Sequence, residues 1–336
     1  MSKWIADHAC KPGSLAAALA VLAAAIAASV VGPAYAQPPA SKPLTLIVPY
    51  AAGGSTDVLA RIVGRKYTSL TGQQVLVVNR EGGGGAVGAT VLKNAAPDGH
   101  TLLIANPAIV VVNPLMTPNL PYDPEKDFVP VQLLYNAVHF LYVPASSPAN
   151  TMADLITLAR RRPGGLSYAS QGVGATGHFG GAMLQALTGA KFVHVPYKGA
   201  APGMLDVAAG RADLFFSIHA TGGSFVRAGT VKILAAATTN RVKAFPDVPT
   251  TAEAGFPSVV LDFWFGLFAP AGTPQAVVNK LNEDFRKTVM SPEVSARMND
   301  EILVPMSVTP TEIAGMMAAD KVRYGKVLRE SGARAE

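Results

Sequence analysis

Residues 42–70 constrain the fold of this chain more than any other stretch. The apolar, β-branched run at residues 44–48 predicts a buried strand, and Pro49 ends it because proline has no amide hydrogen for the ladder. Gly53 and Gly54 permit a tight turn, and apolar residues then recur at helical spacing. The segment predicts a helix N-terminus with free backbone amides after a strand. Such a terminus can bind an anion or can be an ordinary packed connection, and these residues alone leave both open.

Residues 1–36 have the pattern of a secretory signal peptide: a basic start, a small apolar stretch and an A-x-A site at residues 34–36. A membrane anchor is the alternative, but an alanine-rich stretch is only weakly hydrophobic. We predict cleavage after Ala36 and export to the periplasm, with a mature chain that begins at Gln37.

The composition argues against several classes of protein. The formal net charge is +6 and is scattered, apart from three arginines at residues 160–162, which favours acidic solutes over nucleic acid. Cys10 is the only cysteine, so the mature chain would have no disulfide and no thiolate metal site. The histidines do not show zinc-binding spacing. We predict no metal, no cofactor and no nucleic-acid partner.

Strand and helix patterns alternate along the rest of the chain, which predicts an α/β fold with parallel or mixed sheets. Residues 113–130 are proline-rich and polar, and predict a long irregular excursion. Strands are predicted at residues 75–79, 101–105, 131–143, 166–170, 192–197, 214–218 and 231–237, and helices at residues 86–94, 151–162, 274–289 and 310–328, with two more ending at Gly189 and Gly210. Residues 259–268 are strongly apolar and aromatic.

Two stretches match G-x-G-x-x-G, at glycines 83, 85 and 88 and at glycines 172, 174 and 177. A dinucleotide site also needs an acidic residue at the end of the next strand, and neither strand ends in one. A Walker lysine is missing as well. The second match still predicts another helix N-terminus at a strand end, whereas we interpret residues 82–85 as only a tight turn.

Enzyme motifs are scarce. No serine lies in G-x-S-x-G, and the mature chain has no cysteine nucleophile. Two hypotheses are carried forward, a solute receptor and a secreted α/β hydrolase or esterase. Two amide-rich turns without a nucleophile–base pair favour the non-catalytic receptor.

Several segments together resemble the Bug-type solute receptors, the extracytoplasmic binding proteins of tripartite tricarboxylate transporters. They are LTLIVPYAAGGSTD, VVNREGGGGAVGA, PDGHTLLIAN, YASQGVGATGHFGGAMLQ, VPYKGAAPGMLDVAAGRADLFF and FPDVPTTAEAGFP. The resemblance covers nearly all of the chain after residue 40. It implies a periplasmic receptor that captures a small carboxylate and delivers it to integral-membrane permease subunits.

The resemblance also implies a two-domain periplasmic binding protein fold, type II-like, with the ligand cleft between the domains. Domain 1 would be discontinuous, comprising residues 37–139 and 266–336, and domain 2 would comprise residues 140–265. The chain would cross between them near residues 140–144 and 263–268. We expect a monomer.

The predicted site combines the family's two anion-binding loops with candidates from neighbouring strand ends. Asp57 is expected to orient its own loop, because a carboxylate facing the ligand would repel it. His178 either donates to the ligand or packs in the core, Lys198 either attracts an acid or is solvated, and His219 is a candidate for substrate discrimination. The predicted ligand-binding residues are Tyr50, Ala51, Gly53, Gly54, Ser55, Thr56, Asp57, Asn106, Ser170, Gly172, Gly174, Ala175, Thr176, His178, Tyr197, Lys198, His219 and Phe263.

The ligand itself stays open at this point. A dicarboxylate, an amino acid, a nicotinate-like acid and an aromatic acid all fit the sequence. No arginine lies in the predicted carboxylate-binding turns, so a second carboxylate has no evident dedicated partner.

Overall fold

The computed structural model of the protein describes residues 42–117 and 119–331. The predicted signal peptide at residues 1–36 lies outside the described residues. The described part of the chain builds one ten-stranded sheet with helices packed on it. The strands are β1 Leu44–Val48, β2 Val75–Asn79, β3 Thr101–Ala105, β4 Phe128–Pro144, β5 Leu166–Ser170, β6 Phe192–Pro196, β7 Leu214–Ile218, β8 Val231–Ala236, β9 Asp262–Pro270 and β10 Leu303–Pro305.

The sheet runs in the order β2-β1-β3-β9-β4-β7-β5-β6, and β8 and β10 also pair with β4. Strand β4 is 17 residues long and links two halves of the sheet. Its first part pairs with β9, in a register that places Val138 opposite Asp262. Its last part pairs with β7, in a register that places His139 opposite Ile218. We call β1, β2, β3, β9 and β10 the first half, and β5, β6, β7 and β8 the second half.

Helices follow most strands, as the alternating pattern predicts. Within the described residues, a short 3₁₀ turn at Gly83–Gly85 and a π-helix at Ala108–Val112 accompany the α-helices. The α-helices are α1 Ser55–Thr71, α2 Ala86–Lys93, α3 Asn113–Met116, α4 Pro124–Asp127, α5 Met152–Arg161, α6 Thr176–Thr188, α7 Ala200–Ala208, α8 His219–Arg227, α9 Gln275–Val289, α10 Pro292–Asp300 and α11 Pro310–Ser331.

The first strand and helix form as their sequences dictate. Strand β1 lies inside the parallel part of the sheet between β2 and β3, so its apolar residues are buried on both faces. Helix α1 buries Leu59, Val63 and Tyr67, which recur at a spacing of four residues and form one apolar stripe. Gly72 ends the helix in the left-handed conformation that glycine adopts without strain.

Residues 113–130 are more regular than the predicted excursion, because they contain α3, α4 and the start of β4. Short helices form there because Pro114 suits the first turn of α3 and the carboxylate of Asp123 accepts from the amide of Glu125 at the start of α4. The hydroxyl of Tyr122 donates to the carbonyl of Ile109 at 2.7 Å, which fastens the segment onto the π-helix.

Sequence reasoning missed helices α8 and α10. Helix α8 has only nine residues and includes the glycine pair Gly222-Gly223, a poor signal for a helix. Packing explains why glycine stands at both positions: a Cβ at Gly222 would collide with the ring of Tyr142 on β4, and a Cβ at Gly223 with the ring of His219 in the same helix. The domain boundaries stay a prediction, since β4 makes both halves parts of one continuous sheet.

Candidate functional site

A small cavity of about 30 Å³ lies where β1, β3, β5 and β7 end. The carboxyl ends of strands are where open α/β sheets bind ligands. Residues of both halves of the sheet line this cavity, so we take it as the candidate site. Its lining residues are Tyr50, Gly54, Ser55, Thr56, Asn106, His139, Gln171, Thr176, Ala200, Ser217, Ile218, Thr221 and Phe265.

A larger groove, of about 770 Å³, lies between residues 110–130 and helix α11. Apolar side chains such as Leu115 and Met317 predominate in its lining, with a few polar ones such as Asp123 and Lys321. Its described lining contains none of the predicted ligand-binding residues. The smaller cavity is therefore the better candidate, despite its size.

Four helix N-termini meet at the candidate cavity, those of α1, α6, α7 and α8. The residues that precede these helices are Gly54, Ala175, Gly199 and Ile218, and none of the four has a side chain that can cap a helix. Their first-turn amides therefore need acceptors from elsewhere, and the amide of Gly177 in α6 finds one in the side chain of Gln171. Within the described part of the chain, the amides of Ser55, Thr56 and Thr176 have no acceptor.

The first of the two predicted anion-binding loops, between β1 and α1, is held by a carboxylate. Asp57 accepts from the Gly53 amide at 2.9 Å and from Arg61 at 2.9 and 3.1 Å. Burial opposes ionisation of this carboxyl, but the hydrogen bonds from Arg61 and Gly53 outweigh it and keep the pKa below its ordinary value. These contacts are the ones expected if Asp57 orients its own loop.

The second loop, between β5 and α6, is held by neutral groups. The Gly174 amide donates to Nδ1 of His178 at 3.0 Å, and the Ala175 amide donates to the Gly172 carbonyl at 3.1 Å. The Gly177 amide donates to the side-chain oxygen of Gln171 at 2.9 Å. Gly174 and Ala175 are both predicted ligand-binding residues, but their amides are already paired within the loop.

His178 lies beneath this loop and outside the cavity lining. Its ring stacks on that of His194, with centroids 4.2 Å apart. Burial lowers the pKa of each imidazole to about 4, and for His194 the neighbouring His178 adds to the effect. Both rings are therefore neutral at pH 7. In the structure the nitrogen Nδ1 of His178 accepts a hydrogen bond from the loop.

Ser170 is also a structural contact of the second loop. Its hydroxyl lies 2.6 Å from Nε2 of His194 and accepts from the Gly172 amide at 3.0 Å. A serine beside a histidine superficially resembles a nucleophile and its base. Ser170 is fully buried, however, so its hydroxyl does not reach solvent.

The strand end after β6 contributes backbone contacts to the site. The Ala51 amide donates to the Lys198 carbonyl at 3.1 Å, which joins the loop after β1 to the loop after β6 next to the lining residue Tyr50. The Lys198 ammonium points to solvent and lies 3.6 Å from Glu81. The hydroxyl of Tyr197 donates to Asp206 at 2.6 Å. Neither side chain belongs to the cavity lining.

His219 and Phe263 are buried next to the cavity without lining it. The Nδ1 atom of His219 lies 3.9 Å from a carboxylate oxygen of Glu301. Phe263 packs against the rings of Tyr324 and His139. Phe265, two residues further along the same face of β9, lines the cavity instead.

Tyr50 and Asn106 do line the cavity, and the Asn106 amide nitrogen lies 3.5 Å from the Tyr50 hydroxyl. Ser55 meets Thr221 of α8 across the cavity, with 3.1 Å between the two hydroxyl oxygens. Sequence reasoning missed several lining residues because their strands and helices come together only in the folded chain. Those residues are His139, Gln171, Ala200, Ser217, Ile218, Thr221 and Phe265.

None of the described lining residues carries a charged side chain at neutral pH. His139 is the only titratable candidate besides Tyr50 in that lining, and burial lowers its pKa to about 4. Helix N-termini are therefore the source of positive potential at this cavity. Among the described residues, no group of three His, Cys, Asp or Glu side chains is placed to hold a metal ion.

The family to which this chain belongs can be established by comparison with known proteins. Residues 59–333 match the model of the tripartite tricarboxylate transporter family receptor. The chain belongs to this family. It is 32% identical to Protein BugT of Bordetella pertussis over 318 residues, which cover 94% of this chain and 98% of BugT. It is also 37% identical to a protein of the tcbD-tcbE intergenic region of a Pseudomonas species, over 86% of each chain.

Solved structures of receptors share the fold. The periplasmic binding protein BugD superposes with a TM-score of 0.83 at 28% identity, over 88% of this chain and 99% of BugD. MatC from Rhodopseudomonas palustris with bound malate superposes with a TM-score of 0.82 at 30% identity, over 85% of this chain and 98% of MatC. The predicted α/β periplasmic binding protein fold is confirmed. The hydrolase alternative finds no support in these comparisons.

Proposed function

We propose that this receptor binds a small organic acid in the cavity at the strand ends and delivers it to the permease subunits of a tripartite tricarboxylate-type transporter. The observation that supports the proposal best is the meeting of four helix N-termini, none of them capped by its own N-cap side chain, at a cavity lined by uncharged side chains. Each N-terminus is equivalent to about half a positive charge, and anions bind there.

The carboxylate would accept from the free amides of Ser55, Thr56 and Thr176. Hydrogen bonds to an ionised acceptor are stronger than those between neutral groups, and more so away from bulk water. The contacts between Ser55 and Thr221 and between Ala51 and Lys198 join the two halves next to the cavity. A ligand that receives all its hydrogen bonds only when these contacts between the two halves are formed would favour that closed arrangement over an open one.

The relatives support a carboxylate ligand. MatC was solved with malate, and another R. palustris receptor, 33% identical to this chain, was solved with adipate. We further propose that the protein acts without catalysis or cofactor, as a monomer in the periplasm. Among the described residues, no helix combines the length and the hydrophobicity that a membrane span requires.

A thermal-shift screen over organic acids tests the ligand class. A ligand at about 100 times its dissociation constant stabilises the folded state by about 2.7 kcal/mol, which is readily detected. We expect stabilisation by one or more carboxylates and none by sugars or cationic amines of similar size. A screen in which no carboxylate raises the melting temperature would contradict the proposal.

Export is tested separately by mass spectrometry of the periplasmic fraction. We expect a chain that begins at Gln37, after cleavage at the A-x-A site. Recovery of the full-length chain from membranes alone would argue for an anchor.

A further inference from the structure

Ser217 is a buried hydroxyl that faces the candidate cavity and has no role in the carboxylate contacts described above. It lies near the end of β7, is fully buried and lines the cavity. Its Oγ atom has no hydrogen-bond partner among the described residues. Buried polar atoms are nearly always paired in folded proteins, so an unpaired hydroxyl in a binding cavity indicates a ligand contact.

His139, on the strand next to Ser217, is an uncharged side chain of the same cavity. Phe140 pairs with Ser217 and His139 pairs with Ile218 in the β4–β7 register, and His139 lines the same cavity. Nδ1 of His139 lies 2.8 Å from the Leu261 carbonyl. A carbonyl only accepts hydrogen bonds, so Nδ1 carries the hydrogen, and a neutral imidazole meets this requirement.

The charge of the site limits what Ser217 can bind. The described lining has no carboxylate to pair with a ligand ammonium group, and the converging helix N-termini repel a cation. The lining has no arginine or lysine side chain to pair with a second carboxylate either. An uncharged group that both donates and accepts suits a serine hydroxyl best, and a hydroxyl group is the simplest such group.

We propose that Ser217 is a specificity-determining residue that hydrogen-bonds a hydroxyl group of the ligand, and that the receptor therefore selects hydroxy acids over matched acids without the hydroxyl. This inference rests on the proposed carboxylate function. In this proposal the helix N-termini hold the carboxylate, and the lining residues on β4 and β7 contact the rest of the ligand.

Isothermal titration calorimetry with two matched ligand pairs tests this inference. The pairs are lactate with propionate and malate with succinate, which differ only in one hydroxyl group. For the wild-type protein we expect the hydroxy acid of at least one pair to bind about tenfold more tightly, the effect of one well-placed hydrogen bond. Equal affinities within both pairs would overturn the inference.

The variant Ser217→Ala should reduce that ratio to within about twofold. Ser224→Ala removes the same hydroxyl from an exposed position on α8 and should keep the wild-type ratio. A wild-type ratio retained in Ser217→Ala would also overturn the inference. If Ser217→Ala does not fold, Ser217→Cys tests the same contact with a weaker hydrogen-bonding group. If none of the four acids binds the wild-type protein and the wider screen is also negative, the carboxylate function fails, which is a distinct result.

Discussion

The two loops at the cavity have the same plan but are stabilised by different chemistry. Each follows a parallel strand, turns at glycine and opens a helix whose own N-cap residue has no side chain that can cap it. An ionised group, Asp57 paired with Arg61, holds the first loop. Neutral groups, the imidazole of His178 and the amide of Gln171, hold the second. Similar amide-presenting geometry thus arises from two unrelated sets of side chains.

The difference also divides the work between the loops. Both loops pair two amides within their own turns, those of Gly53 and Gly54 in the first loop and those of Gly174 and Ala175 in the second. The first loop leaves the amides of Ser55 and Thr56 unpaired, and the second leaves that of Thr176. The first loop therefore offers more donors to an anion. The second loop instead contacts the first half of the sheet closely, since a Cβ on Gly84 would overlap the carbonyl of Val173.

Substituting a glycine in each loop should have the largest effect on ligand affinity. The comparison distinguishes a steric clash with a neighbouring residue from strain in the backbone of the loop. Gly53 and Gly174 both have a φ of +79°, where alanine is strained by about 1–2 kcal/mol. A Cβ on Gly53 meets open space, but one on Gly174 would overlap the side-chain oxygen of Asn113 from the first half. We expect Gly174→Ala to weaken ligand binding more than about 100-fold and Gly53→Ala about tenfold or less, as measured by calorimetry.

A second substitution checks that reasoning. Adding Asn113→Ala to Gly174→Ala removes the colliding oxygen and should restore part of the affinity. If both glycine variants weaken binding equally, or if the double variant recovers nothing, the close approach of the two halves does not explain the effect.

Asp57→Asn should have the next largest effect, because it keeps the shape of the side chain but removes the charge that holds the first loop. Hydrogen bonds to charged groups contribute about 1.5–3 kcal/mol, so we expect binding to weaken by about 10- to 100-fold. Asp154→Asn is the matched control, since Asp154 accepts from the amides of Asn150 and Thr151 in the same way at exposed helix α5. Similar losses in the two variants would argue for general destabilisation.

The two loops should also differ in their response to acid. The folded-state pKa of His178 is about 4, below its ordinary value near 6.5, so the unfolded chain takes up this proton first. The contribution of neutral His178 to the free energy of unfolding is therefore fully present above about pH 6.5, and it declines as the pH falls toward 4. The pKa of Asp57 lies below its ordinary value of 3.8, so its contribution is lost only at lower pH.

Calorimetric melting between pH 7 and pH 4.5 measures this difference. The free energy of unfolding of the wild-type protein should fall as the pH is lowered. In His178→Gln we expect this fall to be smaller, by an amount on the order of 2 kcal/mol at pH 4.5. Asp57→Asn should lower stability without changing the slope in this range. If the free energy of unfolding of His178→Gln changed with pH as steeply as that of the wild type, protonation of this imidazole would not be what destabilises the fold in acid.

Sequence reasoning located the strand–turn–helix units because their signals are local. The run from Leu44 to Val48, the glycines after it and the periodic helix are contiguous in the chain. It did not find Ser217 or Thr221, which reach the cavity through pairing of β4 with β7 and through the glycine-rich helix α8. Nor could it tell that the Gly174 amide is already paired, because that depends on the rotation of the His178 ring. Local patterns thus predicted the anion-binding loops, whereas long-range packing decided which of their atoms are available.

Lys198→Ala should have the smallest effect, although lysine in this position was a candidate to attract the acid. Its side chain is 79% exposed, and its ammonium lies 3.6 Å from Glu81, a surface ion pair worth about 0.2–1 kcal/mol. The contact that matters for the site is the backbone carbonyl, which accepts from the Ala51 amide and is unchanged by the substitution. We expect the affinity in about 0.15 M salt to stay within about twofold of wild type, because that salt screens exposed charges.

The neighbouring Gly199→Ala offers the matched comparison, since its Cβ would lie 3.1 Å from the Ala51 nitrogen and crowd that same backbone contact. Gly199→Ala should therefore weaken binding more than Lys198→Ala does. The reverse order would mean that the ammonium group, and not the backbone, is what this strand end contributes to ligand capture.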